Sequence, residues 1–85
     1  MVKVELAREA RDQFDALPLP IKGRVANVLE RLHKWPAVSG AKALTGELKG
    51  NYRIRTGDYR IIFHVSADKQ TVTVWRIGYR RDVYD

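Results

Sequence analysis

Three arginines fall within nine residues of the segment Tyr52-Arg53-Ile54-Arg55-Thr56-Gly57-Asp58-Tyr59-Arg60. In an extended strand, side chains two apart share a face. Arg53 and Arg55 therefore point one way, and Tyr52 and Ile54 the other. A tight turn at Thr56-Gly57-Asp58 would return the chain as a second strand, and in hairpin register Arg60 joins the same row. Repulsion among guanidinium groups costs the fold, so such a row points to a polyanion. Guanidinium forks match phosphate oxygens, and they favour the extra negative charge of a pentacoordinate phosphorane over the ground state. Cleavage of RNA requires little more, because the 2′-hydroxyl of the substrate is itself the nucleophile. The protein has to align it, deprotonate it and protonate the leaving 5′-oxygen.

The tail Trp75-Arg76-Ile77-Gly78-Tyr79-Arg80-Arg81-Asp82-Val83-Tyr84-Asp85 adds to the row. If the last strand lies beside the hairpin, Arg80 or Arg81 and Tyr84 reach the arginine face. Tyr84 can act as a base if neighbouring arginines lower its pKa from a reference value of about 10. An arginine holds charge but is a poor proton donor. The competing account of Arg53, Arg55 and Arg60 is a solvated sheet face paired to Glu47, Asp58 or Asp82, and that of Tyr84 is burial against the sheet. His64 has the parity of Arg60 and borders the row, with a structural role favoured. His33 suits a helix C-terminus, where a cation meets the dipole. No His, Cys, Asp or Glu spacing resembles a metal site, so neither a metal nor another cofactor is expected.

Composition agrees with an anionic partner. The 85 residues carry a formal net charge of +6 and no cysteine, which favours nucleic acid, an anionic membrane or an acidic protein and removes any disulfide framework. That length supports one small core, hence a single domain over residues 1–85. The first residues lack the apolar run of a signal peptide, and no stretch approaches the ~20 apolar residues of a membrane span. A cytoplasmic protein is the expectation.

These residues must be positioned by a few short elements. Residues 2–6 alternate as a first strand. Leu6, Ala10, Phe14 and Leu17 then form one helical stripe, and Ile21, Val25, Val28, Leu32 and Trp35 form a second. The Pro18/Pro20 break separates the two, with Pro20 in the first turn of the second helix and Pro36 ending it. A loop over 36–50 anchors Leu44 and Leu48 in the core. Strands follow at 51–56, 59–66 and 71–78. Tyr59, Ile61, Phe63 and Val65 should face the helices, whereas the facing of the last strand stays open. The order β-α-α-β-β-β implies an α+β fold: an antiparallel-rich, four-stranded sheet with an N-terminal helical hairpin on one face and the arginines on the other.

The pattern Leu44-x-Gly46-x-Leu48-x-Gly50-x-Tyr52-Arg53-Ile54-Arg55-x-Gly57-Asp58-Tyr59-Arg60-Ile61-Ile62-Phe63, followed by Gly78-x-Arg80-Arg81-Asp82-Val83-Tyr84, resembles the RelE/ParE superfamily of bacterial toxins, and its RelE branch most closely. The resemblance implies a toxin that cuts messenger RNA in the A site of the 70S ribosome, held silent by a cognate antitoxin. It further implies that Arg60 and Arg80 stabilise the phosphorane and that Tyr84 is the base. Arg53 and Arg55 would bind and orient the RNA, with Arg81 and Tyr79 beside it. Many relatives have lysines at the positions of Arg53 and Arg55, and histidine or lysine at that of Tyr79, so a donated proton would have to come from Tyr79 or from elsewhere. A ParE-like poison of DNA gyrase and a non-catalytic antitoxin-binding homologue are the alternatives.

Overall fold

The computed structural model describes residues 1–79. Strand β1 (Lys3–Leu6) leads into helices α1 (Arg8–Asp15) and α2 (Leu19–Leu32), followed by β2 (Lys42–Ala43), a 3-10 turn at Gly46–Leu48, and strands β3 (Asn51–Thr56), β4 (Tyr59–Val65) and β5 (Thr71–Tyr79). The sheet has five strands in the order β1-β5-β4-β3-β2. Four were expected. The extra strand, β2, pairs only Lys42 with Arg53 and Ala43 with Tyr52, and two residues are too few to show an alternation. The β2–β3, β3–β4 and β4–β5 pairings are antiparallel, whereas β1 runs parallel to β5.

Both helices pack on one sheet face. Ala10, Val25, Val28 and Leu32 meet Ile54, Ile61, Phe63, Val72, Val74 and Ile77 in one buried cluster, with Phe14, Leu17, Ile21 and Val65 at its margin. Trp35 closes one end of it, edge-on to Tyr52 at 4.7 Å and to Phe63 at 5.3 Å. The helical stripes and the inward face of β4 thus lie where their periodicity puts them. Pro20 sits in the first turn of α2, where its missing N–H would have had no helical acceptor. α2 stops at Leu32, before Pro36, and the chain continues through three-residue turns: the Trp35 N–H donates to the Leu32 carbonyl at 3.0 Å.

The mixed phase of β5 has a local cause. Ile62 pairs with Arg76 but Phe63 with Val74, so Trp75 is an extra residue in a bulge. The bulge lets Val74 and Ile77, three apart, both enter the helical cluster. It also turns Trp75 to the opposite face, where it packs with Leu48 against the buried Leu44 and Ile62. Leu44 and Leu48 are therefore anchors, though of this second, smaller cluster rather than of the main core.

β1 ends opposite Val74, so among the described residues the farther part of β5 has no strand on that edge and is paired only by β4 on the other. α1 takes over there. The Ile77 N–H donates to Gln13 Oε1 at 2.6 Å, and Arg76 Nη1 lies 3.2 Å from Glu9 Oε1. Side chains of a helix thus satisfy the edge that β1 leaves open.

Candidate functional site: a cationic row on the open sheet face

The β3–β4 loop has two residues, Gly57 and Asp58, between the paired Thr56 and Tyr59. Gly57 comes first and has φ +59°, as a type II′ hairpin turn requires. This turn fixes the register that places Arg55 directly across from Arg60 and Arg53 across from Ile62. Arg53, Arg55 and Arg60 therefore do share a face, opposite to the helices. On the far side of Arg53, β2 adds Lys42 as its direct partner. On the far side of Arg60, β5 presents Gly78, which puts no side chain in the way.

The face is less open than expected. Arg53 and Arg60 are only 5% and 6% exposed, and Arg55 alone of the three is exposed. A second cluster lies on the same side: Leu44, Ile62, Leu48 and Trp75 form an apolar floor there, with Ile62 directly across from Arg53. The Trp75 Nε1–H donates to Asn51 Oδ1 at 2.9 Å, and Asn51 Nδ2 donates to the Leu48 carbonyl at 3.1 Å. These bonds fasten the 44–50 segment over the sheet. Guanidinium groups keep their charge in proteins. Seated in such a floor rather than in bulk water, they act on an approaching anion through a lower effective dielectric.

Arg55 is solvated, as the competing account has it. Among the described residues, no carboxylate lies within 4.0 Å of Arg55 or Lys42, Glu47 and Asp58 included. Lys42, Ala43, Leu44, Thr45, Arg53 and Arg55 line a depression of about 360 Å³ on this face. A further cation reaches the hairpin tip: Arg24 Nη1 of α2 lies 3.6 Å from where a side chain on Gly57 would begin.

Tyr79 goes elsewhere. It pairs with Tyr59 and meets its ring edge-on at 5.6 Å, which gives it the parity of Ile61 and Ile77 rather than that of Arg60. His64 keeps the arginine parity, is exposed, and pairs with Asn51 and Thr73. His33 caps α2, its Nδ1 3.3 Å from the Val2 carbonyl oxygen, so it ties β1 to the helix end. Arg80, Arg81 and Tyr84 lie outside the described residues, as does Asp82. Among the described residues, no three His, Cys, Asp or Glu side chains gather as a metal-binding group, and no helix is long and apolar enough to cross a membrane.

The sequence reading passed over Lys42, because a lysine in a two-residue strand carries no periodic signal. It also missed the Trp75–Asn51 bridge, which depends on the bulge.

Comparison with known proteins supplies the class to which this α+β chain belongs. Residues 4–84 match the family model described as ParE toxin of type II toxin-antitoxin system, parDE. This chain belongs to that family of type II toxin–antitoxin toxins. It is 35% identical over 43 residues to Toxin RelG of Mycobacterium tuberculosis, a match spanning 51% of this chain and 49% of that protein, so the chain aligns with about half the length of that relative. Among solved structures it resembles a chain of the toxin-antitoxin complex RelBE2 from Mycobacterium tuberculosis, with TM-score 0.80, 28% identity and coverage of 93% of this chain and 98% of that one. A chain of the RelB-RelE antitoxin-toxin complex from Methanococcus jannaschii is similar at TM-score 0.76 and 25% identity, covering 95% of each chain.

Proposed function

We propose that this chain, as one RelE-like domain over residues 1–85, is a cytoplasmic, metal-independent mRNA endoribonuclease that works in the A site of the 70S ribosome and is silenced by a cognate antitoxin. The observation that carries this reading is the Arg55–Arg60 cross-strand pair, extended by Arg53 on a floored sheet face. The similar RelBE2 and RelB-RelE toxin-antitoxin complexes support the antitoxin. In the proposed reaction the 2′-hydroxyl attacks the adjacent phosphorus, a 2′,3′-cyclic phosphate forms and the bond to the 5′-oxygen breaks. Arg60 and Arg80 hold the charge that builds on the phosphorane, and such fixed donors are worth most where water is excluded. Arg53, Arg55 and Arg81 bind and align the strand, and Tyr84 accepts the proton of the attacking hydroxyl. The leaving-group proton falls to Tyr79 only if that ring leaves Tyr59; otherwise the ribosome or solvent supplies it. A site with no conventional acid–base pair depends on the ribosome to place the RNA, and free RNA is cut poorly.

The test is cleavage of mRNA on programmed ribosomes by purified protein. Wild type cuts, and Arg60→Ala and Arg80→Ala do not. Absence of cleavage by wild type, together with undiminished growth arrest by both variants, overturns the reading.

One observation favours a second reading: the matching family model is that of ParE toxins, which makes a DNA gyrase poison the alternative. Induced DNA breaks with translation intact would select it, whereas prompt loss of translation selects the ribosome. Expression without growth arrest would instead mark a non-catalytic homologue that only binds its antitoxin.

A further inference from the structure

We infer that Lys42, with Arg53 and Thr45, forms a second phosphate subsite, which holds the nucleotide next to the scissile one in single-stranded RNA. Lys42 is exposed on β2 and directly opposite Arg53. Like charges placed directly across a sheet destabilise it, and this face has two such pairs side by side, Lys42–Arg53 and Arg55–Arg60. Along β3 the pairs are two residues apart, or about 7 Å at about 3.4 Å per residue. Two cationic stations at that separation suit successive phosphates of one strand better than a lone anion. The room is there: the depression of about 360 Å³ runs between them, lined by Lys42, Thr45, Arg53 and Arg55. Thr45 supplies a hydroxyl that can donate to a phosphate oxygen. The floor beneath, Leu44 on Ile62, fixes the β2 segment that presents Lys42.

This subsite rests on the RNA-cleaving reading, but its test separates the two. The 85-residue chain is titrated with a fluorescent single-stranded oligoribonucleotide bearing 2′-O-methyl sugars, so that nothing is cut, at a series of salt concentrations. Each phosphate neutralised contributes about 0.7 to the slope of log K against log salt for a single strand. Lys42→Ala should lower the slope by about that amount and weaken binding, while Lys42→Arg retains both. Arg11→Ala, which removes one exposed charge from α1, should leave the slope unchanged. On programmed ribosomes, Lys42→Ala should raise the concentration needed for half-maximal cleavage and leave the maximal rate near that of wild type.

A slope for Lys42→Ala equal to that of wild type overturns the subsite, as does a wild-type chain that binds no such RNA at about 50 mM salt. So does an unchanged slope accompanied by weakened antitoxin binding, which would assign Lys42 to an acidic protein segment instead. If wild type fails to cut mRNA on ribosomes yet the slope falls as stated, the catalytic reading fails: Lys42 then binds a phosphate of the strand, and the placement beside a scissile nucleotide is overturned with the cleavage.

Discussion

At the scale of single residues, burial divides three arginines that look alike in sequence. Arg55 is exposed, while Arg53 and Arg60 are buried on the side of the sheet that carries the apolar floor. Arg55→Ala should therefore weaken RNA binding and leave thermal stability nearly unchanged, whereas Arg53→Ala should lower the melting temperature; differential scanning fluorimetry and anisotropy separate the effects. Arg60→Ala removes a fixed donor from the developing charge. By analogy with loss of an oxyanion donor, single-turnover cleavage should slow by about 10²–10³, or roughly 3–4 kcal/mol. Arg60→Lys should recover little of it, because an ammonium cannot fork onto two oxygens.

At the scale of elements, the hairpin and the last strand depend on a few connecting groups. Asp68 organises the β4–β5 turn. Its Oδ1 accepts from the Ser66 hydroxyl at 2.6 Å and from the Gln70 N–H at 3.0 Å. These bonds, the Ser66 one foremost, hold its carboxyl below the ordinary value of 3.8. A depressed carboxylate stabilises the fold in full above its unfolded pKa and loses that contribution as pH falls through the folded one. Acid should therefore loosen this turn only below the usual carboxylate range, and Asp68→Asn should remove that pH dependence; amide exchange at Gln70 and Thr71 reports it. The Gln13–Ile77 bond is the other connection. Gln13→Ala leaves a strand-edge N–H without its acceptor and should cost about 1–3 kcal/mol in urea unfolding. Protease should find the end of β5 first.

At the scale of the whole molecule, two cores of unequal size share one sheet. Phe63 lies in the larger, and Phe63→Ala should destabilise the chain by about 3–5 kcal/mol. Ile62 is its neighbour in sequence but belongs to the smaller core, beneath the arginines. Ile62→Ala should therefore impair RNA binding as well as stability, since it removes the floor on which Leu44 seats β2. Comparison of the two variants at matched folded fraction separates a core role from a site role.

Much of this arrangement was legible in the chain itself. The helical stripes, the inward face of β4 and the bounds of β3 follow from periodicity, because apolar side chains on one face are what local spacing records. The common face of Arg53, Arg55 and Arg60 follows from alternation and from the glycine that leads the Gly57–Asp58 turn. Only the tertiary structure decided the rest. A two-residue strand, a parallel partner for β5 and the Trp75 bulge have no local signature, because each is set by which segment arrives beside another. The same reason holds for the arginines. Sequence gives their direction, but the burial of Arg53 and Arg60 and the apolar floor of Leu44, Leu48 and Trp75 on their side of the sheet are set by which segments meet there. That packing also set Lys42 opposite Arg53.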